Sequence, residues 1–442
     1  MTMRHVAPAA RVDGEVTVPG DKGISHRALI LGALAEGRSY VGNLSPAADV
    51  ESTAACLRAC GGAVRPFGDG RASMDGHGMG RSLRTPDAIL DCGNSGTTMR
   101  LLAGVLAGHD LNASLDGDPS LRRRPMARVA DPLRRMGAGV ETGPEGRAPI
   151  TIQGRALLRP IEYAPPVASA QLKSAVLLAG LAAGGPTTVV EPVATRDHTE
   201  RMLRMCGVGV AVVAGRIVLT PAPLQPFGMR VPGDLSSAAF FLALAAGRRG
   251  WRVTCPNVTL NPGRTGVLDV LRAMGARITV EEGEPAGGVE PAGSVTVEGA
   301  TLHGTVIAGD LVPRCIDELP VLAVLATQAD GVTEIRDAAE LRVKESDRIS
   351  LVAQGLRALG AECEELPDGL VVTGPSPLQP AAVDSHGDHR LAMAWAVAGS
   401  LAIPGAGVTV IDGAEAVSVS YPTFFDDLAE LTTGTVRLDI AR

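Results

Sequence analysis

Aromatic residues make up only 2% of this 442-residue chain. That scarcity excludes the stacking platforms by which proteins hold single-stranded nucleic acid. The seven cysteines form no Cys-x-x-Cys pair. An odd, scattered set fits reduced core thiols in a cytoplasm rather than a disulfide framework or a zinc site. Net positive charge is lacking as well: the formal balance is -7. A generic nucleic-acid or anionic-membrane surface is thereby excluded, and any anion binding is confined to local pockets of arginine and lysine. The first residues, MTMRHVAPAARVDG, lack the apolar segment of a signal peptide. The longest uncharged run, Leu391 to Ile411, is long enough to span a bilayer, but GSLAIPGAGVTV interrupts it with Gly and Pro. It reads as a buried helix followed by a strand, with a membrane span as the alternative.

What is abundant is small and apolar. With 54 Gly, 31 Pro and 45% hydrophobic residues, the composition favours small-residue helices packed closely on sheets, in two domains rather than one. One pattern recurs along the chain: Leu-Arg-x-x-Gly followed by a short β-rich run. It appears as LRACGGAV from Leu57, LRRMGAGV from Leu133, LRMCGVGV from Leu203, LRAMGARITV from Leu271 and LRALGAECEEL from Leu356, with a degenerate LAELTTGTVRL from Leu428. Each Gly falls where a helix C-terminus wants a left-handed residue, and a strand should follow. A second, more apolar helix recurs between these, as in SHRALILGALAEG and SAQLKSAVLLAGLAAGG. Six units, each with one buried helix, one exposed helix and several short strands, imply an α/β protein of two domains with three units apiece.

The scarce polar residues gather at the front ends of the apolar helices. Lys22 and Arg27 lie in VPGDKGISHRAL, Asn94 to Arg100 open the second helix, and Ser169, Gln171 and Lys173 the third. Asp234, Ser236 and Ser237 open the fourth, Asp317 and Glu318 the fifth, and Asp388, His389 and Arg390 the sixth. If pseudo-symmetry stacks these helices in parallel, their N-termini face a common cleft suited to a substrate with several negative charges. Capping alone also accounts for Ser, Asp and Asn at such positions. It does not account for Arg and Lys, whose charge opposes the dipole there, and a bound anion would remove that conflict. The first stretch lacks the complete Gly-x-x-x-x-Gly-Lys-Ser/Thr pattern of a nucleotide loop.

The motifs PGDKGISHRAL, DCGNSGTTMRLLAG, LRRRPMARVADPL, ASAQLKSAVLLAGL, TRDHTERML, ELRVKESDRI and GDHRLAMA resemble those of the 5-enolpyruvylshikimate-3-phosphate synthase family. The resemblance runs in order over nearly the whole chain. It implies transfer of the enolpyruvyl group of phosphoenolpyruvate to the 5-hydroxyl of shikimate 3-phosphate, with release of phosphate, in the shikimate pathway to aromatic amino acids. It implies no metal and no organic cofactor, a cytoplasmic monomer with neither nucleic acid nor membrane as partner, and sensitivity to glyphosate. The implied fold is an inside-out α/β barrel: residues 21–232 form one three-unit domain, and residues 1–20 with 233–442 the other. The chain would cross between them near Gly20 and near Gly233, with a cleft that closes on the first substrate.

That chemistry requires protonation of a methylene carbon, deprotonation of a hydroxyl and compensation of many anionic charges, which calls for paired carboxylates among basic residues. By resemblance Glu345 is the acid near the methylene carbon, Asp317 the base on the hydroxyl, and Lys22 the third catalytic residue. Phosphoenolpyruvate would be held by Lys22, Gly96, Arg124, Gln171, Arg348 and Arg390. Shikimate 3-phosphate would be held by Lys22, Gly23, Arg27, Ser169, Gln171, Arg196, Asp317 and Lys344. The planar arginine fork suits phosphate and carboxylate. Of the RRR run at 122–124, which by itself reads as a solvated face, only Arg124 matches; His389 matches as a support for Arg390. Ala170 and Arg196 resemble the second of the family's two broad classes.

Two positions depart from the family. Gly23 stands where most relatives carry a serine that helps bind the shikimate carboxylate, and Val419 stands where some carry a lysine that reaches phosphoenolpyruvate. The nearest rival reading is a paralogous enolpyruvyl transferase with a UDP-sugar or nucleoside acceptor. Its UDP-N-acetylglucosamine form usually has a cysteine in the loop that is ASLDGDPSLRRRP here, and this loop has none. A non-catalytic anion-binding protein would need the arginines but not the two acids, which weaken anion binding unless they serve chemistry.

Overall fold

A computed structural model describes residues 2–432 and 436–438. Two compact units divide the chain: one comprises Met1–Pro19, Gly233–Glu284 and Pro291–Arg442, the other Gly20–Pro232 and Pro285–Glu290. Both passages of the main chain therefore fall at Pro-Gly steps. Pro285–Glu290 belongs with the unit built from the first half of the chain, an excursion with no signal in the sequence.

Among the described residues each unit contains three four-stranded sheets, and all six share one pairing pattern. An edge strand runs parallel to its neighbour, and the remaining two pairings are antiparallel. In one sheet Gly228–Arg230 lies parallel to Glu36–Gly42, which pairs antiparallel with Arg71–His77, and this in turn with Ala63–Gly68. The last hairpin turns on Asp69 and Gly70, both at positive φ (48° and 67°), as a tight hairpin matched to strand twist requires. Burial alternates along strands with one covered face: Ile217 and Leu219 are buried in Arg216–Thr220, and Val295 and Val297 in Ala292–Glu298.

Six helices are buried almost all round: Lys22–Leu34, Gly96–Ala107 and Ala170–Gly180 in one unit, Leu235–Ala246, Leu319–Ala326 and His389–Leu401 in the other. Their small residues permit this. A Cβ on Gly104 would lie 2.2 Å from the Ala175 carbonyl oxygen, so Gly96–Ala107 and Ala170–Gly180 approach closely only because position 104 has none. The Leu391–Ile411 run resolves into the buried His389–Leu401 helix and the Thr409–Asp412 strand. Among the described residues no helix is long and apolar enough to cross a membrane. The few aromatics concentrate in the unit containing the C-terminal half, where Phe240, Phe241, Tyr421, Phe424 and Phe425 stack with centroids 5.4–6.0 Å apart. Trp251 and Trp395 are buried in the same unit. All seven cysteines are buried and free.

The recurring Leu-Arg-x-x-Gly has a single geometry. Gly61, Gly137, Gly207, Gly275 and Gly360 all adopt positive φ, between 80° and 101°. The amide after each returns to the Leu carbonyl: Gly62 to Leu57 at 2.8 Å, Ala138 to Leu133 at 3.2 Å, Val208 to Leu203 at 2.9 Å, Ala276 to Leu271 at 3.0 Å and Ala361 to Leu356 at 2.9 Å. This is the helix-terminating motif that releases the chain into a strand. The motif arginine serves it in three copies. Arg134, Arg204 and Arg357 each donate Nε to the carbonyl six residues on, Val140, Val210 and Cys363, at 2.7–2.9 Å. Gly434 of the degenerate sixth copy lies outside the described residues. A Cβ at Gly137 would meet nothing within 4 Å, so Gly137→Ala isolates the backbone strain. It should lower stability by about 1–2 kcal/mol in urea denaturation, and an unchanged midpoint would refute the left-handed requirement.

Candidate active site

In the Gly20–Pro232 unit, Asp21 caps the Lys22–Leu34 helix by accepting from the Ile24 amide at 2.8 Å. Lys22 then emerges at the first helical position and pairs with Asp49, Nζ to Oδ2 at 2.9 Å. Asp49 is tied onward, because its carbonyl accepts the Thr98 hydroxyl at 3.1 Å. Thr98 also shares a 2.6 Å bond with Thr53, which shares one of 2.7 Å with His26 Nδ1. Burial, with Lys22 and Arg27 adding to it, holds His26 well below its ordinary pKa. It is a neutral spacer at pH 7, joining the fronts of three helices. Arg27 is buried and donates to Thr199 Oγ1 (2.6 Å), Ser174 Oγ (2.7 Å) and the Gly23 carbonyl (2.9 Å). Burial pulls its pKa down to about 10 while Glu200, Asp21 and Glu290 resist, and Arg196 is near enough to add to the fall. The guanidinium stays charged at neutral pH. A Cβ on Gly23 would stand 3.2 Å from Asp21 Oδ1 and 3.5 Å from Arg27 Nη1, so a serine there needs only a small local adjustment.

Ser95 caps the Gly96–Ala107 helix through the Thr98 amide at 3.1 Å. A Cβ on Gly96 would lie 2.8 Å from Arg100 Nη1 and 3.2 Å from Arg124 Nη1, so its absence leaves room beside two guanidinium groups. Arg124 is aimed by Asn94 Oδ1 at 2.6 Å, and Asn94 in turn donates to Asp118 at 2.6 Å. Of the RRR run, Arg122 is exposed and pairs with Asp116, Arg123 is exposed, and Arg124 alone is buried. Gln171 accepts from Arg100 at 2.6 Å and donates to Thr97 at 2.9 Å. Ser169 caps its helix through the Leu172 amide. Lys22 through Asp49, Arg124 through Asn94, and Gln171 directly are thus each tied to the front of the Gly96–Ala107 helix or the residues just before it, while Arg27 and Gly23 lie beside Thr199 and His198.

The other unit assembles the rest of the expected residues around Arg348. This guanidinium donates to Asp388 (2.8 and 3.1 Å) and to Glu345 (2.6 Å), and lies 3.6 Å from Asp317. Asp317 also faces Lys344 and Arg390, each at 3.8 Å, and Arg390 donates to the Asp317 carbonyl at 3.1 Å. Burial opposes the charge on Arg348, but Asp388, Glu345 and Asp317 together hold its pKa above the ordinary value. Burial likewise pushes Asp388 upward, and Arg348 outweighs it, so Asp388 stays below the usual carboxylate range. The N-cap positions beside them belong to other residues: Asp347 caps Arg348–Ala358, and Glu318 stands at the N-cap of Leu319–Ala326. Two acids set among three cations offer proton transfer beside stabilised negative charge. His389 is buried next to Arg390. Asp234, by contrast, is a cap: it accepts from the Ser236 amide and pairs with Arg264.

The expectation that an external anion relieves the cations at the fronts of the apolar helices needs correction at two places. Resident carboxylates already do so for Lys22 (Asp49) and for Lys173, which is buried between Glu191 and Glu200 rather than facing outward. Asp49, Asn94, Arg100 and Asp388 fall outside the catalytic and substrate-binding sets that the resemblance implies. Asn94, Arg100 and Asp388 stand among the helix-front polar residues legible in the sequence, whereas Asp49, in AADVES, carries no local signal.

The sequence profile of EPSP synthase (3-phosphoshikimate 1-carboxyvinyltransferase) matches residues 6–428. The chain belongs to this family. A 3-phosphoshikimate 1-carboxyvinyltransferase from Gloeobacter violaceus is 52% identical over 431 residues, 96% of this chain and 98% of its own. An EPSP synthase structure from Acinetobacter baumannii superposes with TM-score 0.88 at 41% identity, covering 99% of this chain and all of that one. The enolpyruvyl transferase NikO from Streptomyces tendae shares the fold, with TM-score 0.79 over the full length of both chains, at only 19% identity.

The Arg348–Asp388 pair tests the electrostatics of this cluster. Asp388→Asn keeps the capping group and removes the charge, so it should cost about 3 kcal/mol. Because the folded pKa is depressed, that contribution is present above the unfolded value near ~4 and is lost as pH falls through the folded one. The stability gap between wild type and variant should therefore be flat above about pH 5 and shrink below about pH 4 in urea titrations; a gap independent of pH would refute it.

Proposed function

We propose that this chain transfers the enolpyruvyl group of phosphoenolpyruvate to the 5-hydroxyl of shikimate 3-phosphate and releases phosphate, in the shikimate pathway. The observation that carries the reading is the Asp317, Glu345 and Arg348 cluster, in which two carboxylates share one buried guanidinium. Asp317 takes the proton of the 5-hydroxyl as its oxygen bonds to C2 of phosphoenolpyruvate, and Glu345 delivers a proton to C3. Loss of a proton from the new methyl group then expels phosphate and restores the double bond. Lys22 stabilises charge at the reacting centre and touches both substrates.

Lys22, Gly96, Arg124, Gln171, Arg348 and Arg390 hold phosphoenolpyruvate in this proposal. Gly23, Arg27, Ser169, Gln171, Arg196, Asp317 and Lys344, again with Lys22, hold shikimate 3-phosphate. The proposed architecture is the inside-out α/β barrel of six pseudo-repeats, with domains 21–232 and 1–20 plus 233–442; the one pairing pattern shared by six sheets supports it. The proposed setting is the cytoplasm, as a monomer.

The deciding measurement is phosphate release from phosphoenolpyruvate with shikimate 3-phosphate, against UDP-N-acetylglucosamine and uridine monophosphate as acceptors. Absence of release with the first sinks the reading, and release with either other acceptor replaces it. Glu345→Gln and Asp317→Asn should each lower kcat on the order of 10²- to 10⁴-fold in folded protein; a loss below tenfold removes that residue from acid-base work. Glyphosate should inhibit at the phosphoenolpyruvate site. Gly96→Ala, whose methyl would press on Arg100 and Arg124, should raise both the inhibitory concentration and the KM for phosphoenolpyruvate by about tenfold or more. Unchanged values would exclude Gly96 from that site.

A further inference from the structure

Lys173 stands at a helix front with the proposed binding residues, yet its side chain is only 1% exposed. It follows Ser169 by one turn, its amide bonding to the Ser169 carbonyl at 3.1 Å, and Gln171 by two residues. Its ammonium reaches Glu191 at 2.9 Å, Glu200 at 2.7 Å and the Thr195 carbonyl at 3.4 Å. Thr195 is bound a second time, its hydroxyl donating to Glu191. The next residue is Arg196, on a stretch in neither helix nor strand that leads into His198–Met205. The front of that helix is anchored residue by residue: His198 to Glu290 at 2.7 Å, Thr199 to Arg27 and Ser174, and Glu200 to Lys173.

A buried lysine between two glutamates is a poor device for stability alone, because desolvation costs several kcal/mol per ion and apolar side chains of similar volume often serve as well. What an ammonium does and a methyl cannot is hold the Thr195 carbonyl and the Glu191 carboxylate at once. We propose that Lys173 is a positioning residue for the acceptor: it fixes the Thr195–Arg196 segment against the front of the Ala170–Gly180 helix, and so sets the separation of Arg196 from Ser169 and Gln171. This rests on the assignment of those three residues to shikimate 3-phosphate. Lys173 touches neither substrate. Its effect appears in acceptor affinity and leaves phosphoenolpyruvate alone.

Lys173→Met, Glu191→Gln and Thr195→Val proteins are assayed by phosphate release, varying shikimate 3-phosphate and phosphoenolpyruvate in turn, with Arg196→Ala as reference. Lys173→Met and Glu191→Gln should raise the KM for shikimate 3-phosphate about tenfold, the scale of a small misplacement of a binding group. Thr195→Val should raise it about threefold, and kcat and the KM for phosphoenolpyruvate should stay within about twofold in all three. An acceptor KM unchanged in the folded variants, while Arg196→Ala raises it, overturns the inference. So does an equal rise in both KM values, the mark of a purely structural role. If Arg196→Ala leaves the acceptor KM unchanged, the assignment of Arg196 falls and the inference with it. Should Lys173→Met fail to fold, Glu191→Gln and Thr195→Val, which keep Lys173 paired with Glu200, decide by the same readout.

Discussion

A cation buried at the front of a helix is opposed twice, by the cost of leaving water and by the positive end of the helix dipole. Both units accept that opposition and meet it with carboxylates from elsewhere in the chain: Asp49 for Lys22, Glu191 and Glu200 for Lys173, Asp388 and Glu345 for Arg348. These pairings fix where each guanidinium or ammonium points before any substrate arrives. Preorganised charge of this kind avoids reorganisation at the moment of reaction. It also keeps the site from being an indiscriminate anion sink, since each cation arrives already partly compensated.

The scaffold makes such pairings possible because it repeats one solution. A helix released by a left-handed glycine enters a strand, the strand joins a sheet with one parallel and two antiparallel pairings, and an apolar helix is covered nearly all round. With polar residues excluded from the bodies of these helices, their ends are the places where charge can be kept.

Local features were legible in the sequence for physical reasons. Leu-Arg-x-x-Gly encodes its own geometry within six residues, so helix ends and following strands could be read directly. The family motifs carry Lys22, Arg27, Arg124, Glu345, Arg348 and Arg390 in recognisable surroundings, and Asp317 stands apart from them in CIDELP. What escaped depends on distant partners. Asp49 lies 27 residues from the lysine it holds and Glu290 lies 92 from His198, separations that no local pattern records. Lys173 was misread for a related reason: a position at a helix front does not say which side of the helix a residue occupies, and its side lies against Glu191 and Glu200. Nor does the segment Pro285–Glu290 betray in its composition that it packs with the unit built from the first half of the chain, where Arg201 donates to Val289, 88 positions later.

The uneven placement of aromatics has a spectroscopic consequence. Trp251 and Trp395 are the chain's two tryptophans, and both are buried in the unit that includes the C-terminal half. Trp395 packs against Gly355, where an added Cβ would come within 2.3 Å of its ring, and donates Nε1 to the Asp384 carbonyl at 3.1 Å. Intrinsic emission excited at the indole band is therefore a private signal of that unit, close to the helix that begins at Arg348. The unit holding Lys22 and Gly96 contributes only tyrosine and phenylalanine, so the two halves of the molecule carry distinguishable optical labels without any chemical modification.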